Sequence, residues 1–204
     1  MKTLLIATRN AGKMREVRRI LSDLPFQLLS LEEFPEVIPI EETGRTFEEN
    51  AALKAAGYAT QTGVLTLADD SGLEVEALGG EPGVRSARFA GEHASDSQRV
   101  EKLLAELTNT SGPQRGARFV SAIGIANERG AILNISVGTC SGRIAFAPRG
   151  QGGFGYDPIF IPKGYELSFG ELVPDIKNQI SHRARALTKA REYLLGLTGC
   201  FDGR

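Results

Sequence analysis

Short apolar runs alternate with helical patterns through the first third of the chain, and this alternation restricts the fold more than any other feature. Residues 2–7 read as a short buried strand. The spacing of Val17, Ile20, Leu21 and Leu24 then puts one apolar face on a helix that Pro25 closes. Residues 26–31 are a second strand candidate. Thr46-Phe47-Glu48-Glu49 is a capping box, with Thr46 as N-cap and Glu49 reaching back. The helix it opens runs to about Gln61 through Ala51, Ala52, Leu53, Ala55, Ala56 and Ala59, small residues that allow close packing against a sheet. Gly63 breaks that helix, and residues 64–68 make a strand. Strands and helices in this order build an α/β protein.

The remainder adds antiparallel signals. Residues 73–78 continue as a strand alternating Leu/Val with Glu, and residues 79–83 form a compact loop. Ser95-Asp96-Ser97-Gln98 is a second capping box, opening a helix with Val100, Leu103, Leu104 and Leu107 inward. Residues 117–127 and 131–139 flank the turn Glu128-Arg129-Gly130, a hairpin signal, and residues 142–146 extend its second strand around a bend. Residues 158–162 read as a short strand, followed by a loop carrying Glu171, Asp175 and Lys177. Ser181 is a candidate N-cap for a last helix with Ala184, Leu187, Ala190, Leu194 and Leu195 inward. The expected architecture is a mixed central sheet with flanking helices.

The 204 residues suit one or two domains with a sizeable core. A formal net charge of −1 provides no overall field toward nucleic acid or an anionic membrane, so any phosphate binding must come from local groups. Cys140 and Cys200 lack a partner pattern; they fit a reducing compartment and exclude a thiolate metal site. With His93 and His182 the only histidines, a histidine-rich metal centre is excluded too. The apolar run at residues 4–7 is too short for a signal-peptide core and no window approaches a membrane span, so a cytoplasmic protein is expected.

Several element junctions carry polar side chains suited to ligands. In Ala68-Asp69-Asp70-Ser71-Gly72-Leu73 an apolar strand meets two carboxylates, costly groups to bury. Neighbouring side chains on a strand face apart, so one aspartate is expected to face a site while Asp69 anchors a turn. Thr8-Arg9-Asn10-Ala11-Gly12-Lys13 joins a strand to a helix, a geometry that suits either a structural turn or an anion cradle; it lacks the glycines of a Walker loop. Glu41 and Glu42 read as solvated, and water is the better expectation for Lys54. Gly153-Phe154-Gly155-Tyr156-Asp157-Pro158 suits either a ring stacked on a flat ligand or a glycine-rich loop around a buried ring. His182 reads as a surface histidine or a ligand contact, and Arg183 beside it, at a helix start, suits an anion.

Six stretches, in order, make the chain resemble the inosine triphosphate pyrophosphatase family: residues 8–13, Phe47-Glu48-Glu49-Asn50-Ala51, residues 68–73, Pro82-Gly83-Val84-Arg85-Ser86-Ala87-Arg88, residues 153–158 and Ser181-His182-Arg183. Two positions depart from the family pattern: Arg85 stands where an aromatic is common, and Ser141 where many members have Glu. The resemblance implies one domain over residues 1–204, an elongated two-lobed molecule with a long substrate cleft, acting as a Mg²⁺-dependent homodimer. It also implies hydrolysis of deaminated purine nucleoside triphosphates (ITP, dITP, XTP) to the monophosphate and pyrophosphate. By the same resemblance Thr8, Arg9, Asn10, Ala11, Gly12 and Lys13 cradle the triphosphate, and Glu41 and Asp70 hold the metal. Asp70 is also the base for a water attacking the α-phosphorus. Ser71, Phe154, Gly155, Tyr156, Asp157, Lys177, His182 and Arg183 contact substrate. Phe154 would stack on the base, and a donor from His182 or a backbone N–H near O6 would favour keto purines. Two rivals share parts of this pattern. A Maf-type nucleotide pyrophosphatase generally lacks the Phe-Gly-Tyr-Asp-Pro and Ser-His-Arg elements. A nucleotide-binding sensor would keep the cradle without hydrolysing, and retention of both Glu41 and Asp70 argues against it.

Overall fold

The computed structural model describes residues 2–199. Its strands are β1 (Lys2–Ile6), β2 (Phe26–Ser30), β3 (Thr66–Val75), β4 (Gly116–Ala126), β5 (Ile132–Ile144) and β6 (Phe160–Pro162). The helices are α1 (Ala11–Ile20), α2 (Phe47–Thr62), α3 (Asp96–Glu106), α4 (Pro174–Ile180) and α5 (His182–Gly199). The six strands form one mixed sheet in the order β2-β1-β3-β4-β5-β6. β1 pairs in parallel with β2 and β3, and β5 pairs antiparallel with β6. The expected hairpin is present: a turn over residues 127–130, closed by the Asn127 amide donating to the Ala131 carbonyl at 2.9 Å, joins β4 to β5.

The chain divides into two compact units. One contains the described residues up to Asp70, Ser121–Gly138 and the chain from Arg183; the other contains Ser71–Val120 and Thr139–His182. In the first unit, strand alternation sends Leu4, Ile6 and Leu67 to one face of the sheet, against Val17 of α1 and Ala186, Leu187 and Ala190 of α5. Leu5, Ala7 and Ala68 point the other way, against Ala55, Tyr58 and Ala59 of α2. The small residues of α2 serve the expected close approach. A Cβ on Gly124 of β4 would lie 2.7 Å from the Ala51 carbonyl oxygen, so only glycine fits there. The second unit has its own core, built from Leu73, Val75, Val100, Leu103, Phe119, Phe160 and Phe169.

Four expectations need correction. Residues 69–72 form no turn: β3 runs through them unbroken to Val75, because Lys13 and Lys54 of the packed helices pair with the two carboxylates within the strand. The first helix ends at Ile20, before Pro25, although Leu21 and Leu24 are buried as expected. Thr46 caps α2 by accepting from the Glu49 amide, but the Glu49 carboxylate accepts from the Arg45 amide (2.6 Å), one residue earlier than a capping box requires. Lys177 lies on a helix, α4, which Pro174 opens at its first position. Cys140 is buried as a free thiol, and Cys200 lies outside the described residues. No helix among the described residues is long and apolar enough to cross a membrane.

Candidate active site

β1 lies between β2 and β3, and α1 and α2 cover opposite faces of the sheet. The carboxyl ends of β1 and β3 are therefore a topological switch point, where open α/β sheets leave a crevice for ligands. β1 ends opposite Leu67, and β3 continues past it, so Asp69 and Asp70 lie just beyond the end of their neighbour.

Strand alternation then decides what each aspartate meets. Asp69 shares the parity of Leu67 and faces α1 and α5; Asp70 shares that of Ala68 and faces α2. One Asp69 oxygen accepts from Lys13 Nζ of α1 at 2.5 Å and lies 3.4 Å from the Arg183 guanidinium of α5. Its other oxygen accepts from the Ser121 hydroxyl at 2.6 Å. Burial opposes the charge on Asp69, but Arg183 and Lys13 outweigh it and hold the carboxyl well below the usual carboxylate range. Arg183 is only 2% exposed and also donates to Glu16 at 2.6 Å. Asp69 is thus no turn anchor but an ionic bridge between α1 and α5.

On the opposite face, Lys54 corrects the expectation that it points to water. It is 8% exposed, and its Nζ donates to Asp70 Oδ1 (2.7 Å), the Asp69 carbonyl (2.8 Å) and Glu42 Oε1 (2.8 Å). Burial lowers the affinity of Lys54 for its proton, but Asp70 and Glu42 outweigh this and raise its pKa. Asp70 responds the other way: burial raises its pKa, and Lys54 only partly offsets the effect. Its second oxygen, Oδ2, is buried and accepts no hydrogen bond. Glu41 is exposed; Glu42 is the carboxylate that shares Lys54 with Asp70.

The segment between β1 and α1 is pre-shaped. Thr8 Oγ1 accepts from the Asn10 amide (3.2 Å), and Asn10 Oδ1 caps α1 by accepting from the Lys13 amide (3.0 Å). The amides of Ala11 and Gly12 remain as the orphan donors of the first helical turn, a fit to anionic oxygen.

The second unit contains the glycine-bracketed loop. Gly153 has φ +76°, and a Cβ there would lie 2.0 Å from Asp157 Oδ2. That oxygen accepts from the Phe154 amide (2.8 Å) and from Lys177 Nζ (2.6 Å), and Nζ stands 4.7 Å from the centroid of the Phe154 ring. The Gly155 amide donates to Asp96 Oδ2, and the Tyr156 hydroxyl to the Ser86 carbonyl. Tyr156 and Asp157 are both buried and give the loop its shape; Phe154 is half-buried. His182 is 3% exposed rather than a surface group, its ring stacked on Phe119 at 4.5 Å and 11°. Ser71 follows Asp70 on β3 and is half-buried.

Of the groups singled out in the sequence, the structure gathers Lys13, Arg183 and the two aspartates with the β1–α1 segment, and separately Lys177 with residues 154–157. Sequence reasoning missed Lys54. Its available signal was a lone cation in an otherwise small-residue stretch of α2 (Ala51, Ala52, Ala55, Ala56), the face that packs on the sheet.

A model of the Ham1 family matches residues 4–193. The chain is 45% identical over 195 residues to the dITP/XTP pyrophosphatase of Oceanobacillus iheyensis, covering 95% of this chain and 98% of that one. It is 48% identical to the dITP/XTP pyrophosphatase of Geobacter sulfurreducens, covering 95% and 97%. The solved structure of a HAM1 protein from Coxiella burnetii superposes with a TM-score of 0.87 at 43% identity, covering 96% of this chain and all of that one. The Staphylococcus aureus Ham1 protein gives 0.85 at 41% identity, with the same coverage.

Proposed function

Because the chain belongs to the Ham1 family, we propose that it hydrolyses dITP, ITP and XTP to the nucleoside monophosphate and pyrophosphate, with Asp70 as general base. The observation that carries this reading is the state of Asp70: a buried carboxylate with one oxygen fixed by Lys54, the other unpartnered, and a raised proton affinity. A carboxylate whose burial raises its affinity for a proton, and which keeps a free lone pair, suits removal of a proton from water.

The residues also fit Mg²⁺. Oδ2 of Asp70 is an unsatisfied acceptor, Glu41 is exposed, and among the described residues no three His, Cys, Asp or Glu side chains form a cation cage. Mg²⁺ is commonly held by one or two carboxylates together with substrate phosphates, which matches that supply. When bound by Asp70 and Glu41 it would neutralise charge on the phosphates.

The remaining work falls to the chain. Asp70 orients the water and takes its proton as the α-phosphorus is attacked. Lys54 fixes the carboxylate's orientation. Lys13 and the Ala11 and Gly12 amides hold phosphate oxygens, with Thr8, Arg9 and Asn10 shaping that cradle, and Arg183 and Lys177 add positive charge where it develops. In this reading Phe154 stacks on the base, His182 or a nearby amide reads O6, Ser71 and Gly155 line the substrate, and Tyr156 and Asp157 keep the loop in place. The enzyme acts in the cytoplasm on free nucleotide, as a homodimer.

The test is incubation with Mg²⁺ and dITP, XTP, ATP and GTP while following pyrophosphate against orthophosphate. Pyrophosphate from dITP and XTP is expected, and Asp70→Asn should cut turnover by ~100-fold or more while nucleotide still binds. Orthophosphate alone would mean a phosphatase, binding without hydrolysis a sensor, and near-normal turnover in Asp70→Asn another base.

A further inference from the structure

Several arginines are committed to partners: Arg115 to backbone carbonyls, Arg149 to Glu171, Arg183 to Asp69 and Glu16, and Arg191 to Asp23. Arg9, Arg15 and Arg18 differ. Among the described residues none of the three makes a side-chain hydrogen bond or a close ion pair, and all are exposed. They nevertheless line one cleft of about 660 Å³ beside the β1–α1 segment. One wall is the face of α1 formed by Ala11, Met14, Arg15 and Arg18; the other is residues 30–35, which follow the end of β2.

The charge in this cleft is unbalanced. Glu32 is its only carboxylate, against three guanidinium groups. Glu33 next to it is turned back onto Ser30, accepting from both the amide and the hydroxyl, and Arg18 acts on it through space, so the three cations are offset in part and remain in excess. Three like charges around a concavity repel one another and favour an anionic occupant. Arg is also the side chain best shaped to bind phosphate through paired donors. The volume lies within the ~300–1,000 Å³ range of small-molecule sites, far more than a lone ion needs. Leu31, Phe34 and Pro35 add apolar surface, with Phe34 only half-buried. A phosphorylated ligand carrying a flat ring fits all of these features.

We propose that this cleft is a second nucleotide site, separate from the one at Asp70, with phosphates held by Arg15 and Arg18 and the ring against Phe34 and Pro35. This goes beyond the hydrolytic reading: residues 8–11 form a wall of the cleft and also belong to the phosphate cradle, so an occupant would bias the cradle and regulate turnover.

The test uses ADP as the probe, with chelator present, in calorimetric titrations of the wild-type chain and the Arg15→Gln/Arg18→Gln variant. The expected result is saturable ADP binding by the wild type, weakened at least about tenfold in the variant. Its kcat/KM for dITP should stay within about twofold and its Tm should be unchanged, since both side chains are exposed. Phe34→Leu, which keeps the charges, should weaken ADP while leaving inorganic pyrophosphate binding in place. No ADP binding to the wild type, or equal binding in the double variant, would overturn the proposal. So would a parallel fall in ADP affinity and kcat/KM for dITP, which would make the cleft part of the substrate site.

Discussion

Asp69 and Asp70 are adjacent on one strand, and the sheet sends them into opposite electrostatic environments. Asp69 meets two cations and is held ionised; Asp70 meets one, shared with Glu42, and burial dominates. Their pH signatures therefore have opposite sign. The folded-state pKa of Asp69 lies below its unfolded value of ~3.9, so its stabilisation is complete at neutral pH and is lost as pH falls below about 4. The stability gap between the wild type and Asp69→Asn should accordingly be widest at neutral pH and narrow in acid, as read by chemical denaturation across that range. Asp70 has a raised folded-state pKa, so ionising it costs stability as pH rises, and Lys54 limits that cost. Lys54→Met, measured without metal, should lose about 3 kcal/mol near pH 8 by leaving a buried carboxylate unpaired. The loss should shrink in acid, as pH falls through the raised pKa of Asp70 and it takes up a proton. A loss that stays constant with pH would show that Lys54 acts through packing rather than charge.

The elements owe their positions to patterns that the sequence displays and to contacts that it hides. Alternating strands and helices, Thr46 and Ser95 as N-caps and the hairpin turn follow from local rules, and the structure contains all of them. The tight seat of α2 on β4 rests on Gly124. Gly124→Val should destabilise by ~1–3 kcal/mol, because its side chain must push a backbone carbonyl aside. Unchanged thermal unfolding would mean that the helix can slide. Three features were not legible. Residues 69–72 have turn-forming side chains, yet cations from α1, α2 and α5 make a strand the better solution, a tertiary override of local preference. Lys54 meets Asp70 from another element 16 residues away, a pairing no periodicity encodes. α4 has seven residues, too few for a helical period to emerge, although Pro174 and the Ile176–Ile180 spacing were available signals.

At the scale of the whole molecule, a chain with a net charge of −1 binds a highly charged triphosphate only through local arrangement. The first unit has a switch point with a helix N-terminus, paired cations and a buried carboxylate, Asp70; the second unit, taken by itself, has the Phe154 ring beside Lys177, which Asp157 holds. In the proposed reaction Asp70 drives water onto the α-phosphorus, so that pyrophosphate leaves intact. Hydrolysis of dITP in ¹⁸O-enriched water, with mass analysis of both products, tests it most directly. The label is expected in the phosphate of the nucleoside monophosphate, with unlabelled pyrophosphate. Label in the pyrophosphate would place the attack on the β-phosphorus and rule out the proposed reaction.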